Sequence, residues 1–148
     1  MANKTDREII RHIDEEFASL IKSLKDLARS VPPENLVRSA AAIEQMCGGL
    51  TANLWDDPFE WTLPETLANA DRVIEYLSEV DLARQHAFDS IDDAALKKYI
   101  AVPSGESRQL LSVLLETLVR ASELRGRASV QREMQPGLQA VQDLHDES

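Results

Sequence analysis

The stretch Leu110–Val130, LLSVLLETLVRASELRGRASV, constrains the fold more than any other part of the chain. Seven of the ten residues from Leu110 to Val119 are apolar, and at helical spacing they point all round the axis. A helix that is apolar on most of its surface belongs in the middle of a fold, so this segment is expected to be the central element. From Arg120 onward the pattern turns polar, in the run R-A-S-E-L-R-G-R.

Three further helical patterns precede it. The first opens at Thr5, with Glu8 three residues on as a capping box. Ile10, Ile13, Phe17, Leu20, Leu24, Leu27 and Val31 then recur at a spacing of three to four, one apolar stripe. Pro32-Pro33 ends that helix, and Pro33 suits the first turn of the next. The second pattern runs from Glu34 to Trp55, with Leu36, Ala40, Ile43, Cys47, Leu50 and Leu54 as its stripe. Gly48-Gly49 inside it costs about 1 kcal/mol each relative to alanine. The pair reads either as a smooth patch where another helix packs closely, or as a local bulge beside a pocket.

Asp56-Asp57-Pro58 breaks the chain, and Phe59 and Trp61 follow in the same linker. They read either as a hydrophobic plug at one end of the molecule or as one wall of a ligand site. Thr62-Leu63-Pro64-Glu65 announces the third helix, with Leu67, Ala70, Val73, Ile74, Leu77 and Val80 on its stripe. Ser90-Ile91-Asp92-Asp93 is a new N-cap signal, and a short helix carrying Leu96, Tyr99 and Ile100 is expected after it. Pro103–Glu106 is the last break. The long helix then starts near Ser104–Ser107 and stops by Gln135, where Pro136-Gly137 is a stop signal. No alternating run long enough for a strand is evident. Stripes at helical spacing with no sheet to cover them can be buried only by one another. The expected fold is therefore all-α: an up-and-down type four-helix bundle of antiparallel helices with a short extra helix before the last long helix. One domain over residues 1–135 and an acidic tail over 136–148 complete it.

The chain has 148 residues, enough for one core without staples. Its net charge of −10 leaves no basic face to neutralise phosphates, which excludes nucleic acid, and it disfavours anionic membrane surfaces. No run approaches the roughly 20 apolar residues of a membrane span. The polar N-terminus is unlike a signal peptide, and the single Cys47 permits no internal disulfide, so a cytoplasmic location is expected.

The segment around Arg125-Gly126 resembles the last-helix motif of the DinB/YfiT-like family of four-helix bundles, in which the pattern reads roughly His-x-x-x-His-Arg-Gly-Gln. The four helical patterns and the S-I-D-D-A-A-L turn add to the likeness, which spans roughly residues 5 to 133. The resemblance implies a bundle with a longer second connection, a homodimer, membership of a damage-inducible family, and a cleft in which three histidines bind a divalent metal. In this chain the two histidine positions of the last helix fall on Arg120 and Leu124. An arginine stays protonated and a leucine has no donor atom, so neither binds a metal. The three histidines, His12, His86 and His145, stand elsewhere and read as surface residues.

The candidate cleft residues are Glu44, Cys47, Trp61, Arg120, Glu123 and Leu124. Cys47 reads as a small buried hydrophobe, with a metal ligand or a reactive thiol as alternatives. Arg120 either rests its stem on apolar surface with its head at the rim, pairs with Glu44, Glu116 or Glu123, or holds an anion by a two-pronged contact. No Walker loop, no His-Glu-x-x-His, no G-x-S-x-G and no G-x-G-x-x-G occurs. The expected function is a binding or interaction module with no cofactor and no metal, whose partner is a small molecule or a protein. The alternative is a metal-dependent enzyme of the thiol-transferase or hydrolase type, built on atypical ligands such as Cys47 and a glutamate. A third idea is a stress-induced accessory protein acting only through partners.

Overall fold

The computed structural model describes residues 4–56 and 69–146. Within them the chain is mostly helical: α1 (Lys4–Leu27), α2 (Glu34–Ala52), α3 (Ala70–Asp89) and α4 (Leu110–Asp146). The one sheet among the described residues is an antiparallel two-stranded ribbon of β1 (Tyr99–Ala101) and β2 (Ser107–Gln109). The apolar stripes meet in a single core. Ile13 and Phe17 of α1, Ile43 of α2, Val73 and Leu77 of α3 and Leu114 of α4 are all buried in it. Leu111 and Leu118 are partly buried against it.

Each of α1 and α2 packs against both α3 and α4, whereas α1 and α2 sit diagonally and scarcely touch. The directions follow from pinned ends. Arg29, just beyond the end of α1, bonds Asp71 at the start of α3, at 2.5 Å, and Arg84 near the end of α3 bonds Asp14 in the first half of α1. So α1 and α3 are antiparallel. The start of α2 lies only residues 28–33 beyond the end of α1, at the same end of the bundle as the start of α3. Hence α2 and α3 run the same way. Strict up-and-down alternation gives way here, because the second connection, residues 53–69, is long enough to return along α2, about 28 Å at 1.5 Å per residue. Helix α4 starts beside α3's end, with the N–H groups of Leu110 and Leu111 donating to the carbonyls of Lys98 and Leu96.

Several local expectations change. Helix α2 ends at Ala52 with Asn53 in the left-handed region (φ 54°), not at Trp55. The chain turns back there, and a Cβ on Gly49 would lie 2.3 Å from the Trp55 ring, while one on Gly48 would lie 2.8 Å from the Leu54 carbonyl oxygen. Among the described residues, the glycines thus make room for their own helix end. The described part of α3 begins at Ala70, capped by Asn69, whose side chain accepts from the Arg72 N–H. The Thr62–Glu65 start signal lies outside the described residues.

The short extra helix is a single 3-10 turn, Asp93–Ala95, capped by Asp92. Tyr99 and Ile100, expected on that helix, are instead in β1. The reason lies in the turn: Gly105 takes φ 84°, which glycine adopts freely, and folds Tyr99–Ala101 back on Ser107–Gln109. This delays the start of α4 to Leu110. At its other end α4 continues through Pro136-Gly137 to Asp146, so the stop expected by Gln135 does not occur. A proline removes one N–H and disturbs one turn, at about 3 kcal/mol, but the backbone on either side can stay helical. Nor is α4 central all round. Leu115 and Val119, on its outer side, are 44% and 58% exposed. No helix among the described residues is long and apolar enough to cross a membrane.

Candidate functional site

Helix α2 divides five of the six candidate residues, all but Trp61, between two places. On one side of α2, Glu44 and Cys47 face α3. Tyr76 donates its hydroxyl to Glu44 at 2.5 Å. Cys47 is buried, 2% exposed, and its thiol is pushed up to about 12. Burial is the main cause, the carboxylate of Glu44 adds to it, and the charge of Arg84 partly opposes it. A cysteine in that state keeps its proton at neutral pH, which suits a small buried hydrophobe.

Arg84 is the centre of this side. It is buried, yet it donates to Asp81 at 2.9 Å and to Asp14 across the helix pair. Burial works against its charge, but the hydrogen bonds to Asp81 and Asp14, with their charges, outweigh that and hold the guanidinium above its usual range. A buried charge needs such partners. The residue was legible in the sequence: position 84 is in phase with Leu77, Val80 and Phe88, a charge on an apolar stripe, with Asp81 one turn before it.

On the other side of α2, a polar groove of about 470 Å³ runs between α2 and α4. Arg120, Glu123 and Leu124 line it from α4, together with Arg127, and Arg38, Ala42 and Gln45 line it from α2. The groove exists because the two helices approach closely only deeper down. There the Ser39 hydroxyl donates to the Ala121 carbonyl at 2.8 Å, and Ala40 of α2 and Ala128 of α4 are fully buried. Small residues bring the backbones together, and the long side chains above them stand apart as walls. Leu124 is buried at the base. Gln45 is fixed by donating to the Trp55 carbonyl at 2.7 Å. Arg38 is drawn to Glu34 on its own helix at 3.2 Å.

Arg120 and Arg127 are exposed, two turns apart on α4, and neither makes an ion pair with a described residue. Of the partners considered for Arg120, Glu44 is engaged by Tyr76 and Glu116 by Arg108. Glu123 shares the groove but is not bonded to Arg120. Arg38, Gln45 and Arg127 were not foreseen as site residues. Only Arg127 left a signal, by recurring seven residues after Arg120 on one helix face. Trp61 lies outside the described residues. His12 and His86 are exposed.

These residues do not fit a divalent metal. The two positions that the resemblance assigns to histidine ligands carry a guanidinium and an isobutyl group, while Glu44 and Cys47 face the opposite side of α2. Among the described residues no three His, Cys, Asp or Glu side chains converge as a metal site. No family model matches the chain, and neither does any curated protein or solved structure.

Proposed function

We propose that this chain is a DinB-like binding module without a metal centre, and that its α2–α4 groove holds a small ligand through a carboxylate or similar anionic group. The observation that carries the reading is the pair of guanidiniums, Arg120 and Arg127, on one groove, neither ion-paired with a described residue. A guanidinium presents a planar fork of donors that matches a carboxylate in two parallel hydrogen bonds. Gln45, already held by the Trp55 carbonyl, adds a polar group on the facing wall. Leu124 supplies an apolar base for a short carbon skeleton. The DinB-like part of the reading is supported by the four helices and by a second connection longer than the first. The overall charge of −10 repels anions at a distance, so any affinity has to come from these local contacts.

Titration with succinate, followed by two-dimensional NMR, tests the reading. Shifts are expected to saturate at millimolar concentrations and to cluster at Ala42, Gln45, Arg120, Leu124 and Arg127. Arg120→Ala with Arg127→Ala is expected to abolish them. Shifts scattered over the surface, or no saturation, would sink the proposal.

A further inference from the structure

Helix α4 has a second seam, against α1, and a groove of about 320 Å³ runs along it. It shares no residue with the α2–α4 groove. Its floor is Leu20, which is buried, and Leu118, which is half-buried. Ser19 and Ser23 of α1 and Ser122 of α4 are the short side chains that leave it open. None of their hydroxyls bonds a described residue. Its two charges are Glu16 of α1 and the half-buried Arg125 of α4, and neither makes an ion pair with a described residue.

The directions of the helices set those charges apart. Helix α1 runs antiparallel to α3, and α4 starts beside α3's end, so α1 and α4 run the same way. Glu16 is the first residue that α1 gives the groove and Arg125 the last that α4 gives it, so the two stand at opposite ends. Glu16 to Ser23 is seven residues, as is Leu118 to Arg125. That is a rise of about 10 Å from one end to the other.

We infer that this groove holds a dipeptide, with its ammonium at Glu16 and its carboxylate at Arg125. Opposite charges at the two ends call for a zwitterion, and Arg125 offers the carboxylate a planar fork of donors. The separation chooses the length. In a single α-amino acid the two charged groups flank one carbon and cannot reach both ends. A dipeptide extends to about 7 Å and leaves room for contacts at its ends, whereas a tripeptide, at about 10 Å, uses up the whole rise. The hydroxyls choose the chain between the charges. Each can donate and accept, which suits a peptide N–H and C=O and gives nothing to a run of methylenes. A zwitterion has no net charge, so the chain's −10 does not repel it at a distance.

Titration of the full chain with glycylglycine, followed by two-dimensional NMR, tests the inference. Shifts are expected to saturate at millimolar concentrations and to cluster at Ser19, Leu20, Ser23, Leu118 and Ser122. N-acetylglycylglycine lacks the ammonium and glycylglycinamide lacks the carboxylate, and each is expected to bind at least tenfold more weakly. So is glycine, which is too short. Glu16→Gln and Arg125→Gln are each expected to weaken glycylglycine binding at least tenfold with helical circular dichroism unchanged. If Arg125→Gln unfolds, the two capped peptides on the unaltered chain still decide. Absence of saturation would overturn the inference, and so would capped peptides that bind as well as glycylglycine. Glycylglycine shifts confined to Ala42, Gln45 and Arg127 would also overturn it, by placing the peptide between α2 and α4. Succinate is read at Ala42 and Gln45 and glycylglycine at Ser19 and Ser23, so either reading can fail alone.

Discussion

The two sides of α2 treat arginine in opposite ways. Toward α3, Arg84 is buried and held by two carboxylates from two helices. Toward α4, Arg120 and Arg127 are exposed and make no ion pair with a described residue. The difference shows which charges the fold depends on and which it leaves available. A buried guanidinium without partners would cost several kcal/mol, so Asp14 and Asp81 are needed simply for the α1–α3 contact to form. A guanidinium in water costs almost nothing to leave unpaired, so Arg120 and Arg127 are free to serve something other than folding. Residue type is thus a poor guide to function here, and burial with partner count a good one.

The largest expected effect tests the buried side. Arg84→Ala leaves Asp14 and Asp81 facing an apolar contact. Because both carboxylates keep about a third of their exposure, the loss falls at the lower end for broken buried pairs, about 2–3 kcal/mol. Urea unfolding measures it. Arg84→Met combined with Asp14→Asn and Asp81→Asn is expected to recover most of the loss, since no charge is then stranded. A loss under about 0.5 kcal/mol for Arg84→Ala, the range of ordinary surface substitutions, would erase the contrast between the two sides.

Next in size is Gly49→Ala. The added methyl collides with the Trp55 ring, and the chain after Ala52 has to move. Overpacking of this kind costs about 1–3 kcal/mol, against a helix-propensity gain of about 1 kcal/mol. A net destabilisation accompanied by a change in Trp55 fluorescence is expected. A stabilised protein would show that the turn does not lie on the glycine.

Cys47 gives a pH test of the same buried side. Its pKa is about 12 in the fold against 9.0 for an ordinary thiol. A raised acid favours its protonated form in the folded state, so the stabilising contribution is complete below pH 9.0 and is lost as pH rises toward 12. Cys47→Ala is expected to flatten the alkaline fall in melting temperature between those limits. Native labelling by a thiol reagent at pH 8 is expected to be at least tenfold slower than labelling in denaturant. Equal rates would place Cys47 at the surface.

How much of this was legible in the sequence follows from the range of each signal. The stripes of α1, α2 and α3 were readable because burial imposes one period over many residues, and Phe17, Ile43 and Leu77 are buried as that period requires. The parallel run of α2 and α3 was not, because a connection's length bounds its path without choosing it. The β1–β2 ribbon was hidden by its brevity: three residues carry no alternation. Helix α4 misled in both ways. Its apolar girth suggested burial all round, whereas Leu115 and Val119 face out, and Pro136 signalled a stop that the backbone passes. Of the candidate residues, Arg120, Glu123 and Leu124 line one groove, because they share one helix. Glu44 and Cys47 were assigned to the same cleft but face α3, since the side of a helix nearest a given neighbour depends on how the bundle is wired.

The smallest expected effect on stability is the most informative about the groove. Arg120→Ala and Arg127→Ala remove two exposed side chains that make no ion pair with a described residue. Only the packing of their aliphatic stems is lost, so each substitution is expected to change unfolding free energy by less than about 0.5 kcal/mol. Removing like charges seven residues apart on one helix works slightly in the other direction. The same two substitutions are expected to abolish succinate binding. A residue that matters for binding and not for folding is what the contrast between the two sides of α2 requires. If the double variant instead unfolds readily, Arg120 and Arg127 belong with Arg84 as parts of the scaffold, and the groove loses its claim to be a site. If it is stable and still binds, the anion is held elsewhere. Measuring melting temperature and binding on one sample of the double variant separates these outcomes.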